Sequence, residues 1–102
     1  MNVPLREKRR QIDAVDVKLS VLLAERLSLA ASLAGLKKKV RDPRREALIL
    51  ERAAGRIGDR ALRAAVLAVY RELLKQGRSL QSAARSGPGR RGSGSRDKSE
   101  SE

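Results

Sequence analysis

One uninterrupted stretch near the N-terminus limits what this chain can fold into more than any other feature. From Leu5 to about Lys38 there is no proline, and the first glycine is Gly35. At 1.5 Å per residue, a helix of this length spans about 50 Å. That exceeds the diameter of a compact domain built from 102 residues. The stretch therefore predicts a long helix that extends beyond the core of its own chain.

Apolar residues follow a heptad-like pattern along this stretch, with gaps of three and four residues: Ile12, Val15, Leu19, Leu22, Leu29, Leu33 and Leu36. We call this set the seam, and such a pattern is typical of a helix that packs lengthwise on other helices. Arg26 stands where the pattern requires an apolar residue, and Arg9 and Lys37 lie near the same stripe. Because a buried guanidinium group is costly unless an anion meets it, the helix is predicted to hold a place for an anionic ligand.

Two further helices are predicted from their capping residues. Asp42 is suited to the N-cap position and Pro43 to the first helical position, so a second helix is expected over residues 43–54. Asp59 is another N-cap candidate, and the helical spacing of apolar residues after it predicts a third helix that ends around residues 81–84. The fold class is therefore all-α, with three helices per chain.

The chain is predicted to divide into a helical domain at residues 1–84 and a disordered tail at residues 85–102, which is rich in Ser, Gly and Arg. The ordered part has about 80 residues and almost no aromatic mass, so its core is marginal alone. The seam also has too few partners within one chain. These observations favour a homodimer.

The composition excludes several kinds of chemistry. The chain has no Cys and no His, which removes Ser–His and Cys–His nucleophile pairs, zinc fingers and thiol redox sites. No carboxylate pair has a convincing spacing, so neither a metal nor a cofactor is predicted. The N-terminal segment has no apolar run for a signal peptide, and no stretch is long enough to span a membrane. A cytoplasmic protein is expected.

The formal net charge of +12 points to an anionic partner, which is either nucleic acid, a membrane surface or a small polyanion. The simpler alternative is a coding style that favours Arg where other proteins use Lys or Gln.

Without His and Cys chemistry, the kinds of catalysis that remain are positioning of a substrate and charge stabilisation by fixed donors.

The spacing of the cations suggests how they relate to a ligand. Arg26 and Lys37 lie on one face of the helix, roughly 16 Å apart, and could bracket a ligand of modest length. Arg9 is about 25 Å from Arg26 and could reach that site only from an antiparallel partner chain. The alternatives are a solvated Arg9, an Arg26 paired with a core acid, and a Lys37 at a solvated helix end.

Three polar residues outside the long helix have equally ordinary explanations. Arg45 and Glu46 lie in the first turn of the second helix, where a glutamate favours the helix dipole whatever its function. Gln81 is a lone amide near the end of the third helix, where such residues are ordinarily at the surface.

Taken in order, five motifs resemble the all-α, AroQ-class chorismate mutases over residues 5–82. They are RRQIDAVD at residues 9–16, LLAER at 22–26, Lys37, DPRRE at 42–46 and SLQ at 79–81. Each motif is weak alone, but their order and spacing on three helices are specific. The resemblance implies an intertwined helical homodimer with two active sites, and the Claisen rearrangement of chorismate to prephenate.

The resemblance also implies roles for individual residues. Arg26 would hold the ring carboxylate of the substrate. The partner subunit's Arg9, together with Lys37, would hold the side-chain carboxylate. Lys37 and Gln81 would donate to the ether oxygen, where negative charge grows as the C–O bond breaks.

At the other end of the substrate, the resemblance implies that Glu46 and the backbone near Asp42 orient the ring hydroxyl, with Arg45 in support. Two features depart from the family pattern. Gly77 stands where the family often has a small hydroxyl residue, and the connection over residues 38–42 is short.

Several interpretations of the sequence remain open. Isochorismate-pyruvate lyases and aminodeoxychorismate mutases use much the same fold and cations. A basic helical nucleic-acid-binding protein would explain the charge, but the chain has no aromatic stacking platform and no evident recognition helix. A plain coiled-coil module would explain the seam but not Arg26.

Overall fold

The computed structural model describes residues 3–36 and 38–86. Within these ranges all of the regular secondary structure is helical, with three α-helices and a short 3₁₀ turn, and there is no strand. The helices are α1 (Val3–Ser32), α2 (Pro43–Gly55) and α3 (Arg60–Ser86), and the 3₁₀ turn is Leu33–Gly35. The predicted fold class of three helices, one of them very long, is confirmed. Among the described residues, no helix is long and apolar enough to cross a membrane.

The long helix ends earlier than the predicted Lys38. Regular α-helix stops at Ser32, whose hydroxyl donates to the carbonyl of Leu29 at 2.6 Å. A serine that bonds back to the preceding turn weakens the regular pattern. The chain then tightens into the 3₁₀ turn, which the Leu36 amide closes by donating to the Leu33 carbonyl at 2.9 Å.

Both predicted helix caps are confirmed. The Asp42 carboxylate accepts a hydrogen bond from the Arg45 amide at 3.2 Å, and Pro43 opens α2. The Asp59 carboxylate accepts from the Leu62 amide at 2.8 Å and so caps α3. Arg63 ties the loop between α2 and α3 to the start of α3, because its side chain donates to two loop carbonyls at 3.0 Å each.

The third helix continues past the predicted limit at Ala84 and includes Arg85 and Ser86. Alanines at 83 and 84 favour helix, and the next glycine after them is Gly87. The predicted disordered tail otherwise falls on residues 87–102, which lie outside the described residues, so the division at 84/85 stays a prediction.

Helix α3 lies at the centre and packs on both α1 and α2. The buried apolar side chains are Ala53, Leu73 and Leu74. The backbones of α1 and α3 approach closely at Gly77, where an added Cβ would lie 3.4 Å from the Cβ of Ala30. This contact brings the C-terminal parts of the two helices together, and the site described below lies beside it.

The seam is exposed in the single chain. No residue of α1 is buried, and the half-buried apolar side chains of its C-terminal part, Leu23, Leu27, Ala30 and Ala31, lie about a third of a turn from the seam. Leu22 and Leu29 of the seam are 60% and 62% exposed. The described chain is therefore a thin slab, 56 × 35 × 13 Å, with an uncovered apolar edge along α1.

Candidate functional site

A cavity of about 380 Å³ opens where the end of α1, the start of α2 and the last turns of α3 meet. Its size is in the range of small-molecule sites. Six of the eight residues predicted to contact a ligand line it: Arg26, Asp42, Arg45, Glu46, Gly77 and Gln81. The structure thus brings together residues from all three helices.

Arg26 forms part of the cavity wall on α1. Its guanidinium carbon lies 5.8 Å from the ring centroid of Tyr70 on α3, in a cation–π arrangement. None of the ion pairs among the described residues includes Arg26. The alternative in which Arg26 is a seam residue paired with a core acid is therefore not what the structure has. Its charge is supported by an aromatic face and stays available to an anion in the cavity.

Glu46 is held by two arginines. Both of its carboxylate oxygens accept hydrogen bonds from Nη1 of Arg78, each at 2.7 Å. Nε of Arg41 lies 3.6 Å from one of the same oxygens. The Glu46 side chain is only 16% exposed and that of Arg78 27%, so the pair is shielded in part from water. It joins α2 to α3 across the cavity wall.

Arg78 was not among the predicted site residues, although it lines the cavity. The sequence does carry a signal for it, because Arg78 lies four residues after Leu74 and three before Gln81, on one face of α3. Tyr70 was also missed. Its position behind Arg26 depends on how α1 packs against α3.

Gln81 is buried, with 5% of its surface exposed. The alternative of an ordinary surface amide is therefore excluded, because the turn of α3 that carries Gln81 packs into the cavity wall, although residues 82–85 beyond it are exposed. Gly77 is buried one turn earlier and also lines the cavity. Both residues face the same enclosed space as Arg26.

Asp42 and Arg45 lie at the start of α2 and are more exposed. Asp42 uses one carboxylate oxygen to cap the helix, which holds the connection from α1 at the mouth of the cavity. Arg45 adds a cation there. Counted over the described lining residues, three arginines face two carboxylates, so the cavity has an excess of positive charge.

One predicted residue does not line this cavity, and another lies outside the described residues. Arg9 is exposed on the N-terminal part of α1 and is far from Arg26 along the same helix. Its contribution from a partner chain stays a prediction. Lys37 lies outside the described residues, between Leu36 and Lys38 that border the gap.

The arrangement suits an anionic ligand that is held by several fixed donors. The described residues contain no group of three or more acidic, His or Cys residues placed to hold a metal ion. Arginine and amide donors around an enclosed volume can fix the conformation of a small anion and stabilise charge that develops on it.

Residues 8–82 match the family model described as chorismate mutase type II. The match covers nearly the whole described chain, including all three helices and every residue of the cavity. No curated protein and no solved structure matches the chain significantly.

Proposed function

The chain belongs to the type II chorismate mutase family, and on that premise we propose that it converts chorismate to prephenate at the cavity between its three helices. This reaction is the entry to phenylalanine and tyrosine synthesis. The observation that carries the proposal is Arg26, which lies in the cavity wall against Tyr70 and forms no ion pair with an acid among the described residues.

The chemistry of the rearrangement agrees with the residues available. The ether C–O bond breaks while a new C–C bond forms within one molecule. No nucleophile, proton transfer, metal or cofactor takes part. The enzyme has to hold a dianion in a compressed, chair-like conformer and to aim donors at the ether oxygen. A cavity without His or Cys and with an excess of arginine can do both.

We assign the carboxylate-binding roles to three cations. Arg26 holds the ring carboxylate. Lys37 and the partner subunit's Arg9 hold the side-chain carboxylate. Gln81 and Lys37 donate to the ether oxygen, and the burial of Gln81 supports this role because a shielded donor is stronger than one in water.

The ring hydroxyl is assigned to the α2 end of the cavity. Glu46 accepts its hydrogen bond, the backbone near Asp42 assists, and Arg45 supports the site at the cavity mouth. Gly77 lines the wall without a side chain, so a contact that a hydroxyl residue would make there is left to backbone or water.

A homodimer completes the proposal. The exposed seam of α1 offers a second copy an apolar edge that its own chain leaves uncovered. In an antiparallel dimer, the partner subunit's Arg9 would reach the cavity. The Arg9 of the same chain is too far from the cavity to do so. We also propose a cytoplasmic location, where chorismate would be supplied.

The function is tested by following the loss of chorismate absorbance and identifying the product by chromatography. We expect prephenate. Arg26→Ala should lower kcat/KM by about 10²- to 10³-fold at unchanged helicity, since it removes a fixed donor to the substrate. Lys37→Ala should do the same. Arg44→Ala is the matched control, because Arg44 is an exposed neighbour of Arg45 that does not line the cavity.

Full activity in Arg26→Ala would contradict the assignment. Product analysis also separates the alternatives, because pyruvate from isochorismate would indicate the lyase, and turnover of aminodeoxychorismate alone would indicate the corresponding mutase. The net charge of +12 is the observation that favours a nucleic-acid-binding protein. That function predicts no turnover and an affinity for nucleic acid that falls steeply with salt.

A further inference from the structure

Arg78 forms a short ion pair in the cavity wall, and none of the roles assigned above uses it. Its Nη1 meets both oxygens of Glu46 at 2.7 Å, although the two residues are 32 positions apart in the chain. A nitrogen that meets both oxygens at the same distance restrains the position of the carboxylate. Glu46 is therefore held in the cavity wall.

The charges around Glu46 do not cancel. Arg78 donates to it directly, and Arg41 lies 3.6 Å from its Oε1. Two cations against one anion make this end of the cavity a weakly positive cluster, even though its central group is a carboxylate. Such a cluster still has an oxygen that can accept a hydrogen bond, but its arginines oppose the binding of a further cation.

We propose that Arg78 is a positioning residue that makes this end of the cavity select a neutral hydroxyl group over an ammonium group, and so directs the enzyme to chorismate rather than to aminodeoxychorismate. The inference rests on the proposed function, in which Glu46 meets the substituent at this position of the ring. The two substrates differ at that substituent, which is a hydroxyl in chorismate and an amine in aminodeoxychorismate. An alkyl amine is protonated at neutral pH.

The expected size of the effect follows from the geometry. An ammonium group bonded to Glu46 would lie about 6 Å from the Arg78 guanidinium, where repulsion at an effective dielectric constant near 20 corresponds to roughly 100-fold in affinity. Screening at a partly exposed arginine reduces this to about tenfold. Without Arg78, the carboxylate of Glu46 would attract the ammonium group more strongly.

The test compares kcat/KM for chorismate and for aminodeoxychorismate in the full-length protein. Arg78→Met keeps the bulk of the side chain and removes its charge, so the preference for chorismate should fall by about tenfold or more. Arg78→Lys keeps the charge and should retain the preference to within about threefold. Arg71→Met is the matched control, because Arg71 is exposed on the same helix and does not line the cavity.

A second variant should increase the preference for chorismate. Glu46→Gln leaves Arg78 without its carboxylate and should lower overall activity while discriminating more strongly against the amine. This variant keeps the inference testable if Arg78→Met disturbs folding, and far-UV circular dichroism checks helicity in each case.

The outcomes separate the two proposals. A wild-type protein that converts chorismate, but whose substrate preference is the same in Arg78→Met, overturns this inference alone and shows that the ion pair only joins α2 to α3. An equal loss of kcat/KM for both substrates in Arg78→Met would overturn this inference in the same way. A wild-type protein that converts neither substrate overturns the proposed function and the inference with it.

Discussion

The two halves of α1 carry the same kind of apolar pattern but have different surroundings. Residues 20–32 include half-buried side chains that pack beside α3, and Arg26 among them reaches a cavity. Residues 3–19 are exposed at nearly every position. Their polar contacts are local, such as the ion pair between Arg10 and Glu7. Within the described chain, the C-terminal half of α1 packs beside α3, whereas the N-terminal half is exposed.

This difference indicates where the proposed homodimer would form. An isolated helix of this kind is marginal in water, because most helical stability in proteins comes from packing an apolar face. The N-terminal half has such a face in Ile12, Val15 and Leu19, each about half exposed or more. The same half carries Arg9, which the proposed mechanism needs at the other end of a partner chain. Both the stability of α1 and the proposed use of Arg9 therefore favour this surface as the dimer interface.

The largest effect is expected from a charge in the uncovered half of the seam. Leu19→Asp should dissociate the dimer, because it would bury two unpaired carboxylates and remove apolar contacts worth about 1.5–3 kcal/mol per leucine. Activity should fall by about 10³-fold or more with the loss of the partner subunit's Arg9. Analytical ultracentrifugation and the chorismate assay measure the two effects.

Val17→Asp is the control for this experiment, since Val17 is exposed on the face of α1 opposite the seam. A Leu19→Asp protein that stays dimeric and active would show that the seam is not the dimer interface. Equal dissociation of both variants would show that the interface surrounds the helix.

A smaller effect is expected at the packed half, from the ring behind Arg26. Tyr70→Leu removes the cation–π contact, worth about 0.5–2 kcal/mol, and should raise KM by several-fold to tenfold as Arg26 loses its support. Tyr70→Phe keeps the ring and should restore KM to near the wild-type value. A kcat that falls with unchanged KM in Tyr70→Leu would contradict this role.

The smallest effect is expected at Gly77. A Cβ there would meet the Cβ of Ala30 at 3.4 Å, an ordinary van der Waals contact, so alanine should fit. Replacing a glycine inside a helix should then stabilise the protein by about 0.5–1 kcal/mol and raise Tm by a few degrees. Thermal unfolding measures this change. A lower Tm would show that α1 and α3 cannot yield at this contact.

Gly77→Ser tests the cavity itself. The serine hydroxyl would add a donor to the wall, and KM for chorismate should fall by several-fold relative to Gly77→Ala. The comparison with alanine separates the hydroxyl from the change in stability. Equal KM values in the two variants would show that the hydroxyl does not reach the substrate.

Local features of the sequence were sufficient for the helices and for much of the cavity lining. The capping residues Asp42 and Asp59 act through backbone amides three residues away, so their roles can be read from short segments. The order of the motifs was sufficient to identify the family. It also pointed to Glu46 and Gln81, though not to what either of them contacts or how deeply it is buried.

The tertiary structure alone decided which side chains meet across helices. The contact of Glu46 with Arg78 and that of Arg26 with Tyr70 depend on the rotation and approach of α3, which the contact of Gly77 with Ala30 sets. Helical periodicity determines which residues share a face, because it follows from backbone geometry within one helix. It does not determine which face of another helix lies opposite, because that is settled by packing side chains from distant parts of the chain.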